Sequence, residues 1–399
     1  MKQVKNHEYK MCTLNDVGVL KRGVSKHRPR NDERLFDGDY PFIQTGDVKS
    51  AKWKIREYSQ TYNEFGLSQS RLWKKGTLCI TIAANIAETA ILDIDACFPD
   101  SVLGFKANED LCNFYYIEYM LRNFKNKLVL SASQTAQKNI NLGTFERAKF
   151  PLPDKETQDK IVSKIIPFDL KIESNEKEMA ILEEYSELLF HKWFVEPDEN
   201  GKLFEDTVGE ITTSDFCYKV SDGTHETPKP VEEGYHLVTS KHIANGKLNT
   251  SSAYFISKSD YIEVNKRSQV KQWDILFSMI GSVGEVYLEA NPSPQYAIKN
   301  LGLFKMNGDK EKAIKLYYYL KYPYFQKTLR FRLSGSIQSF VPLQFLRNIK
   351  LPRKFDNNND SDKVLFESLG LIVDKLYCLR KENEILEETR DLLIKKLIK

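Results

Sequence analysis

The sequence has few of the residues that mark secreted or membrane proteins. Its six cysteines are too far apart for a zinc knuckle or a redox pair, and most are flanked by apolar residues. No run of eighteen apolar residues occurs, and the start MKQVKNHEYK lacks the apolar core of a secretion signal. We therefore expect a soluble cytoplasmic protein whose cysteines are buried free thiols.

Sequence motifs of common catalytic sites are also missing. The chain has no GxxxxGK[ST] phosphate loop, no GxGxxG and no GxSxG, and its histidines form no HxxxH pair. The segment 291–294, Asn-Pro-Ser-Pro, departs from the Asn/Asp-Pro-Pro-aromatic tetrapeptide of amino methyltransferases. We expect neither a catalytic site nor a bound metal or cofactor on this chain.

Length and composition indicate a folded chain of more than one domain. The chain has 399 residues, of which 41% are hydrophobic and 29% charged, as in globular proteins. The 59 Lys and Arg against 55 Asp and Glu leave a net charge of +4. This balance excludes a histone-like polycation but allows local basic surfaces.

The chain repeats itself. Residues 181–192, ILEEYSELLFHK, match residues 385–396, ILEETRDLLIKK, at seven of twelve positions. Three further pairs of segments match at smoothly drifting offsets: Gln137, Lys149 and Pro151 with Gln338, Lys350 and Pro352; 76–83 with 273–280; and 41–49 with 235–243. The sequence therefore predicts a tandem duplication of about 200 residues per repeat.

Each repeat has the same order of parts. Short apolar runs that read as buried strands come first, followed by an aromatic helical segment, a polar loop, a short strand ending in proline and a long charged helix. The prediction is an α+β fold, a tandem duplication of a globular α/β domain followed by a long helix.

The two long helices, at about 156–194 and 362–398, carry apolar residues at alternating spacings of three and four, which is a heptad seam. A lone amphipathic helix on a globule is the alternative, but two such helices in one chain favour pairing as an antiparallel coiled coil. Asn175 and Asn383 fall on the seam, where they either fix the register or lie where the seam opens. The helix-pairing residues are expected to be Ile165, Ile172, Met179, Leu182, Leu189, Ile372, Leu376, Leu379, Leu386 and Leu393.

The length of the first helix suggests a spacer. Roughly 37 residues at about 1.5 Å each span about 55 Å. On B-DNA this length corresponds to about 16 base pairs at about 3.4 Å each.

The loops carry the groups that bind nucleic acid. Residues 1–36 hold nine Lys or Arg against four acids, and Arg can read guanine or clamp phosphate. A merely solvated loop, and in the second repeat a simple Asp-Gly turn, remain alternatives. The candidate DNA-binding residues in these openings are Lys21, Arg22, Ser25, Lys26, Arg28, Arg30 and Thr45, and in the second repeat Lys219, Ser221, Thr224, His225, Thr227, Lys229, Ser240 and Lys241.

A second polar loop precedes the last strand of each repeat. Gln and Asn can read adenine through two hydrogen bonds, and Ser or Lys can hold phosphate. The candidates here are Gln134, Thr135, Gln137, Lys138 and Asn139, with Ser336, Gln338 and Ser339 in the second repeat. The basic helical segment 311–332 adds six Lys or Arg against one acid, while its tyrosines are expected in the core.

This chain resembles the specificity subunits of type I restriction–modification systems. The resemblance covers essentially the whole chain. It rests on the globule–helix–globule–helix order, the ILEExxxLLxxK segments, the HKWFV that ends the first helix, YPFIQTGDV and DGTHETP. Their order along a duplicated chain is specific to that family.

The resemblance implies two target recognition domains, residues 1–153 and 204–352, that read the halves of a split, asymmetric duplex DNA target. The helices, residues 154–196 and 360–399, would set the spacer and dock two modification subunits, which a translocase–nuclease subunit joins. S-adenosylmethionine, Mg and ATP are then expected on the partner subunits only. Two other classes stay open: an enzyme with a diverged DNA methyltransferase or nuclease site in one half, and an assembly scaffold without DNA readout.

Overall fold

The structure is a computed structural model that describes residues 9–133, 142–196, 201, 208–334, 340–356 and 360–398. The chain divides into two compact units, Met1–Ser174 with Asn383–Lys399, and Asn175–Glu382. Each unit combines one globular part with parts of both long helices. The domain boundaries given above, which separate globule from helix, therefore stay predictions.

The described elements are short strands and helices between two long helices. The strands are β1 Lys10–Cys12, β2 Gly18–Arg22, β3 Phe36–Phe42, β4 Lys54–Ile55, β5 Gln60–Tyr62, β6 Leu72–Trp73, β7 Leu78–Thr81, β8 Thr89–Leu92, β9 Ala96–Cys97, β10 Val102–Ala107, β11 Phe150–Leu152, β12 Val208–Thr212, β13 Lys219–Asp222, β14 Tyr235–Val238, β15 Ile243–Ala244, β16 Lys247–Leu248, β17 Phe255–Ile256, β18 Ile275–Ser278, β19 Val286–Leu288, β20 Tyr296–Ile298, β21 Leu301–Lys305 and β22 Lys350–Pro352. The helices are α1 Thr45–Ser50, α2 Glu64–Ser68, α3 Phe114–Ser133, α4 Leu142–Arg147, α5 Lys155–Val195, α6 Thr213–Phe216, α7 Lys258–Ser268, α8 Lys310–Lys321, α9 Pro323–Ser334, α10 Leu343–Arg347 and α11 Asp360–Leu397.

The main sheets of the two units share the order of four strands, and the first unit adds a fifth strand, β4, at the edge. The main sheet of the first unit has the order β2-β10-β7-β8-β4, and that of the second has β13-β21-β18-β19. Each unit also has a smaller sheet with one antiparallel and one parallel pair around a central strand. In the first unit β3 pairs antiparallel with β5 and parallel with β9, and in the second β14 pairs antiparallel with β17 and parallel with β20. The predicted tandem α+β duplication is therefore confirmed.

Aromatic helices cover the main sheets. In the first unit, α3 buries Tyr116 and Tyr119 against strands β7 and β10, whose apolar runs are buried on both faces. In the second unit, α8 buries Tyr318 and Tyr319 in the same way, as expected for these tyrosines. Asp309 begins α8 by accepting the backbone N–H of Lys312 at 3.0 Å.

The long helices run antiparallel within each unit. In the first unit, Arg390 of α11 donates to Asp169 of α5 at 2.7 Å. In the second, Arg380 donates to Glu183 at 2.8 Å, and Trp193 near the end of α5 donates to Asp362 near the start of α11 at 2.8 Å.

The ten residues named above for helix pairing are all buried or partly buried. Asn175 and Asn383 are buried as well, and the Asn175 amide donates to the Glu382 carboxylate at 2.9 Å. The seam is therefore closed over both asparagines.

Two local expectations were wrong, and one alternative, the Asp-Gly turn, is excluded. The segment 311–332 is two helices, because Tyr322 is extended before Pro323. The Asp222-Gly223 pair forms no hairpin turn, since Asp222 ends β13, and Gly223 continues along β21. Cys378 is exposed on α11, whereas the other five cysteines are buried.

Within the described residues, no helix is both long and apolar enough to cross a membrane. The same part of the chain shows no cluster of three or more His, Cys, Asp or Glu side chains that could hold a metal ion.

Candidate nucleic-acid interface

The predicted reading loops lie at one end of each main sheet. In the first unit β2 and β7 end where β10 and β8 begin, since Arg22 pairs with Leu103, and Ile80 with Thr89. The second unit repeats this arrangement. We call this end the loop end, formed by residues 23–32, 82–88 and 98–101 in the first unit and by 223–229, 279–285 and 298–300 in the second.

A glycine begins residues 23–32, the first loop, and another begins residues 223–229, the second loop, at the same backbone position of each unit. Gly23 N–H donates to the Val102 carbonyl at 2.9 Å, and Gly223 N–H donates to the Leu301 carbonyl at 2.8 Å. A Cβ on Gly23 would lie 2.2 Å from the Pro99 oxygen, and one on Gly223 would lie 2.5 Å from the carbonyl oxygen of residue 298. Glycine is therefore required because a second segment of the same chain approaches its backbone closely.

Arg22 at the end of β2 and two arginines of the first loop converge on Asp100. The Arg30 guanidinium donates to both carboxylate oxygens of Asp100, at 2.6 and 2.7 Å, and that of Arg28 lies 3.9 Å from the same carboxylate. Arg22 donates through Nε to the Asp100 backbone carbonyl. The side chains of Arg28 and Arg30 remain about half exposed. Two guanidinium groups at the carboxylate and a third at the backbone carbonyl of the same residue leave a net positive group, of which Arg28 and Arg30 face solvent.

The rest of the first loop is fixed by Asp32. Its carboxylate lies 2.7 Å from the His27 ring and accepts from Arg34 at 2.7 Å. The hydrogen bond from Arg34 holds the pKa of Asp32 well below its usual range. The His27 ring also meets Phe65 edge-on at 5.4 Å. The loop is thus organised by side chains of its own rather than merely solvated.

The second loop is held by different chemistry. The exposed His225 ring lies 2.9 Å from the Asn300 side-chain oxygen and 3.0 Å from the buried Asp222 carboxylate. Arg267 of α7 donates to the same carboxylate. Lys299 donates to the hydroxyl of Thr227. Asn300 thus anchors this loop much as Asp100 anchors the first.

The remaining candidates divide by position. Thr45, Ser240 and Lys241 follow β3 and β14, which run parallel to β9 and β20 toward the loop end. Most of the named residues there are exposed or partly exposed: Lys21, Arg22, Ser25, Lys26, Thr45, Thr224, His225, Thr227, Lys229, Ser240 and Lys241.

Two candidates do not fit the expected surface. Ser221 is only 4% exposed, because it pairs with Leu303 inside the sheet. Lys219 is exposed but begins β13, and Asp222 at the other end of that strand leads into the loop. Gln134, Thr135, Gln137, Lys138, Asn139, Ser336, Gln338 and Ser339 lie outside the described residues.

Sequence reasoning missed the residues that hold the loops. Asp100, Asn300 and Arg267 are separated from their partners by 45 to 75 residues, so no local motif indicates them. Their only sequence signal is the position of Asp100 and Asn300 between two short apolar strands of the same repeat.

A buried charge network joins the first globule to the long helices. Asp169 of α5 accepts from the Tyr119 hydroxyl at 2.6 Å as well as from Arg390. Glu118 is fully buried and pairs with Arg122, and its burial raises its pKa to about 7. Every described acid here has a basic or hydroxyl partner, so the network serves to hold the helices in place.

The chain is similar to known proteins of type I restriction–modification systems. Residues 6–184 match the type I restriction modification DNA specificity domain family. The type I restriction enzyme MjaVIII specificity subunit of Methanocaldococcus jannaschii is 23% identical over 393 residues, which are 92% of this chain and 87% of that protein. The HindI specificity subunit of Haemophilus influenzae is 30% identical over 186 residues, 42% of this chain and 39% of that protein.

A solved structure shares the fold. The crystal structure of the type I restriction–modification S subunit from M. genitalium superposes with a TM-score of 0.61 at 17% identity, over 100% of this chain and 98% of that one. The duplicated architecture described above is therefore the fold of that S subunit as well.

Proposed function

We propose that the chain is a type I restriction–modification specificity subunit and that it reads a bipartite, asymmetric duplex DNA target with one loop end in each repeat. The observation that carries the proposal is that the two loops share a backbone frame, the position at which each loop starts, but differ in the side chains at their tips. Gly23 and Gly223 occupy the same position, yet Arg28 and Arg30 follow in one loop and His225, Thr227 and Lys229 in the other. One frame with two different tips suits two different half-sites.

The chemistry of each tip suits base edges and phosphates. Half-exposed arginines can donate two hydrogen bonds to guanine or clamp a phosphate. The second tip offers an imidazole, hydroxyls and lysines, which suit acceptors on bases and phosphates. The base sequence of each half-site depends on contacts that form only when DNA is bound.

The repeated ILEExxxLLxxK segments are proposed as docking sites for two copies of the modification subunit. In α5 the segment exposes Ile181, Tyr185 and Leu188, each more than half exposed, at spacings of four and three. In α11 it exposes Ile385 and Leu392 at the same motif positions. An apolar stripe on one helix face favours a helical partner, and two copies of one stripe favour two copies of that partner.

The division of labour follows from this assignment. We place S-adenosylmethionine, Mg and ATP on partner subunits, with the methyltransferase on the modification subunits and cleavage on a translocase–nuclease subunit. The chain itself would act as a non-catalytic reader and scaffold in the cytoplasm.

The test is methylation mapping of DNA from cells that express this chain with its modification subunit. We expect a split, asymmetric adenine motif that disappears when the gene of this chain is deleted. With methyltransferase activity confirmed, an unchanged methylome would refute DNA readout and leave the scaffold alternative. Methyl transfer by the pure chain alone would instead favour the enzyme alternative. Docking is tested by Ile181→Asp with Ile385→Asp, which should abolish co-purification of the modification subunit.

A further inference from the structure

Helix α9 lies beside the loop end of the second unit. The Gln326 side chain donates to the Gly284 carbonyl at 3.0 Å, and Leu329 packs against the same glycine. Gly284 belongs to the segment 279–285, which forms part of the loop end. Ile280 of that segment also bridges to Phe340, which follows the helix in sequence. The helix therefore continues the surface that presents the second recognition loop.

The outer face of α9 is basic and carries an exposed aromatic ring. Phe325 and Leu329 are buried on the inner face, whereas Lys327, Arg330 and Phe331 are exposed on the outer one. Phe331 is 83% exposed, the highest value of any large apolar side chain in the described residues. The helix contains no acidic residue. In the described part of the chain, Lys327 and Arg330 meet no carboxylate.

Three other cations of this region already have a partner. Lys315 of α8 is buried and pairs with Glu311 at 2.7 Å, and Lys321 pairs with Glu187 at 2.9 Å. Arg332 of α9 lies over the Phe345 ring at 4.9 Å. Among the described residues of α9, Lys327 and Arg330 are thus the exposed cations that have neither a carboxylate nor a ring partner, and they lie next to Phe331.

We propose that this face of α9 is a second DNA-binding site of the second unit, contacting the phosphate backbone beside the half-site. Lys327 and Arg330 bind phosphates, because unpaired cations beside a reading loop complement the charge of the duplex. Phe331 packs against sugars or a base step in the minor groove, where proteins insert apolar side chains between bases. The site adds affinity without sequence preference. This inference rests on the proposed function.

The experiment measures the salt dependence of binding by the full chain, in complex with its modification subunit. Fluorescence anisotropy on cognate and unrelated duplexes is recorded between 50 mM and 300 mM salt for wild type and Lys327→Ala/Arg330→Ala. Two lost phosphate contacts reduce the slope of log K against log salt by about 1.8. If the plots of log K against log salt for wild type and variant meet near 1 M salt, the affinity of the variant at about 0.15 M salt is about 30-fold lower, equally for both duplexes.

A matched control removes the same charge elsewhere in the unit. Lys271, before β18, and Lys363, in the first turns of α11, are exposed lysines outside the loop end. Lys271→Ala/Lys363→Ala should leave the slope within about 0.5 of wild type, since nonspecific charge loss is small. An equal effect of both double variants would overturn the site.

The aromatic residue gives an independent readout. Phe331→Ser should weaken binding to both duplexes several-fold without changing the slope, and Phe331→Leu should retain most of the affinity because leucine also packs as a wedge. Unchanged binding by Phe331→Ser together with an unchanged slope in Lys327→Ala/Arg330→Ala would refute this second site but not the proposed function. A wild-type complex without salt-dependent DNA affinity would refute the proposed function and this site with it.

Discussion

Replacing Asp100 with Asn tests whether the anchor of the first loop controls DNA discrimination. The change keeps the shape of the side chain but removes the charge that holds Arg30 at 2.6 and 2.7 Å and lies 3.9 Å from Arg28. These ion pairs are half exposed, so their loss should cost at most about 1 kcal/mol of unfolding free energy. The fold should therefore survive while the arginines gain freedom.

The effect on readout should be larger than the effect on stability. A well-placed two-bond contact of arginine to guanine contributes about 1–3 kcal/mol of discrimination, which is about 5- to 150-fold in affinity. We expect Asp100→Asn to lose discrimination within this range at the first half-site. Affinity for unrelated DNA should stay the same or rise, because a negative charge is removed from a phosphate-binding surface.

The assay is competition binding by the complex with duplexes that carry single-base changes in either half-site. Asp95→Asn is the matched control, since Asp95 is a carboxylate paired with Lys74 at 2.8 Å, beyond the end of β8 that points away from the loop end. Discrimination at the second half-site should not change in either variant. Parallel changes in cognate and unrelated affinity for Asp100→Asn would show that Asp100 does not position the reading arginines.

Three further predictions follow from the same structure. Arg28→Ala or Arg30→Ala should weaken recognition of the first half-site only, and equal weakening at both half-sites in competition assays would contradict separate reading. Inserting seven residues before Asn175 and seven after Asn383 keeps the heptad pattern and adds about 10.5 Å to each helix. The spacer of the methylated motif should therefore lengthen by about three base pairs. An unchanged spacer would show that the helices do not set its length. Burial raises the pKa of Glu118 to about 7, above its value in the unfolded chain. Between about pH 4.5 and 7 the folded first unit therefore retains a proton that the unfolded chain releases. The free energy of unfolding should fall as pH rises through this range, by up to about 3 kcal/mol. Glu118→Gln should flatten this part of the pH profile of thermal unfolding, and an unchanged slope would show that Glu118 is not the group responsible.

Period and repetition allowed much of the fold to be predicted. The heptad spacing from Ile165 to Leu189 requires a partner helix, because a stripe that repeats every seven residues cannot be buried on a small globule. The repeated ILEExxxLLxxK segment identified the duplication, and the buried aromatic residues of α3 and α8 followed from their apolar neighbours. These features are local, so the order of residues along the chain is enough to indicate them.

The site residues depended on contacts that no local pattern carries. Lys219 and Lys229 look alike in the sequence, but Lys219 begins β13 at the end away from the loop end, whereas Lys229 lies in the loop that follows the strand. The lysines of 311–332 look equivalent too, until packing pairs Lys315 and Lys321 with acids and leaves Lys327 exposed.

The sequence by itself determined that the chain is duplicated and that its long helices pair, and it predicted that its loops carry DNA-binding groups. Only the tertiary structure decided which charges remain available to DNA and what holds them. The physical reason is sheet pairing, which brings Asp100 to Arg30 and Asn300 to His225 across 70 and 75 residues of chain. A side-chain contact between such distant residues leaves no periodic trace in the sequence, whereas a buried helix face does.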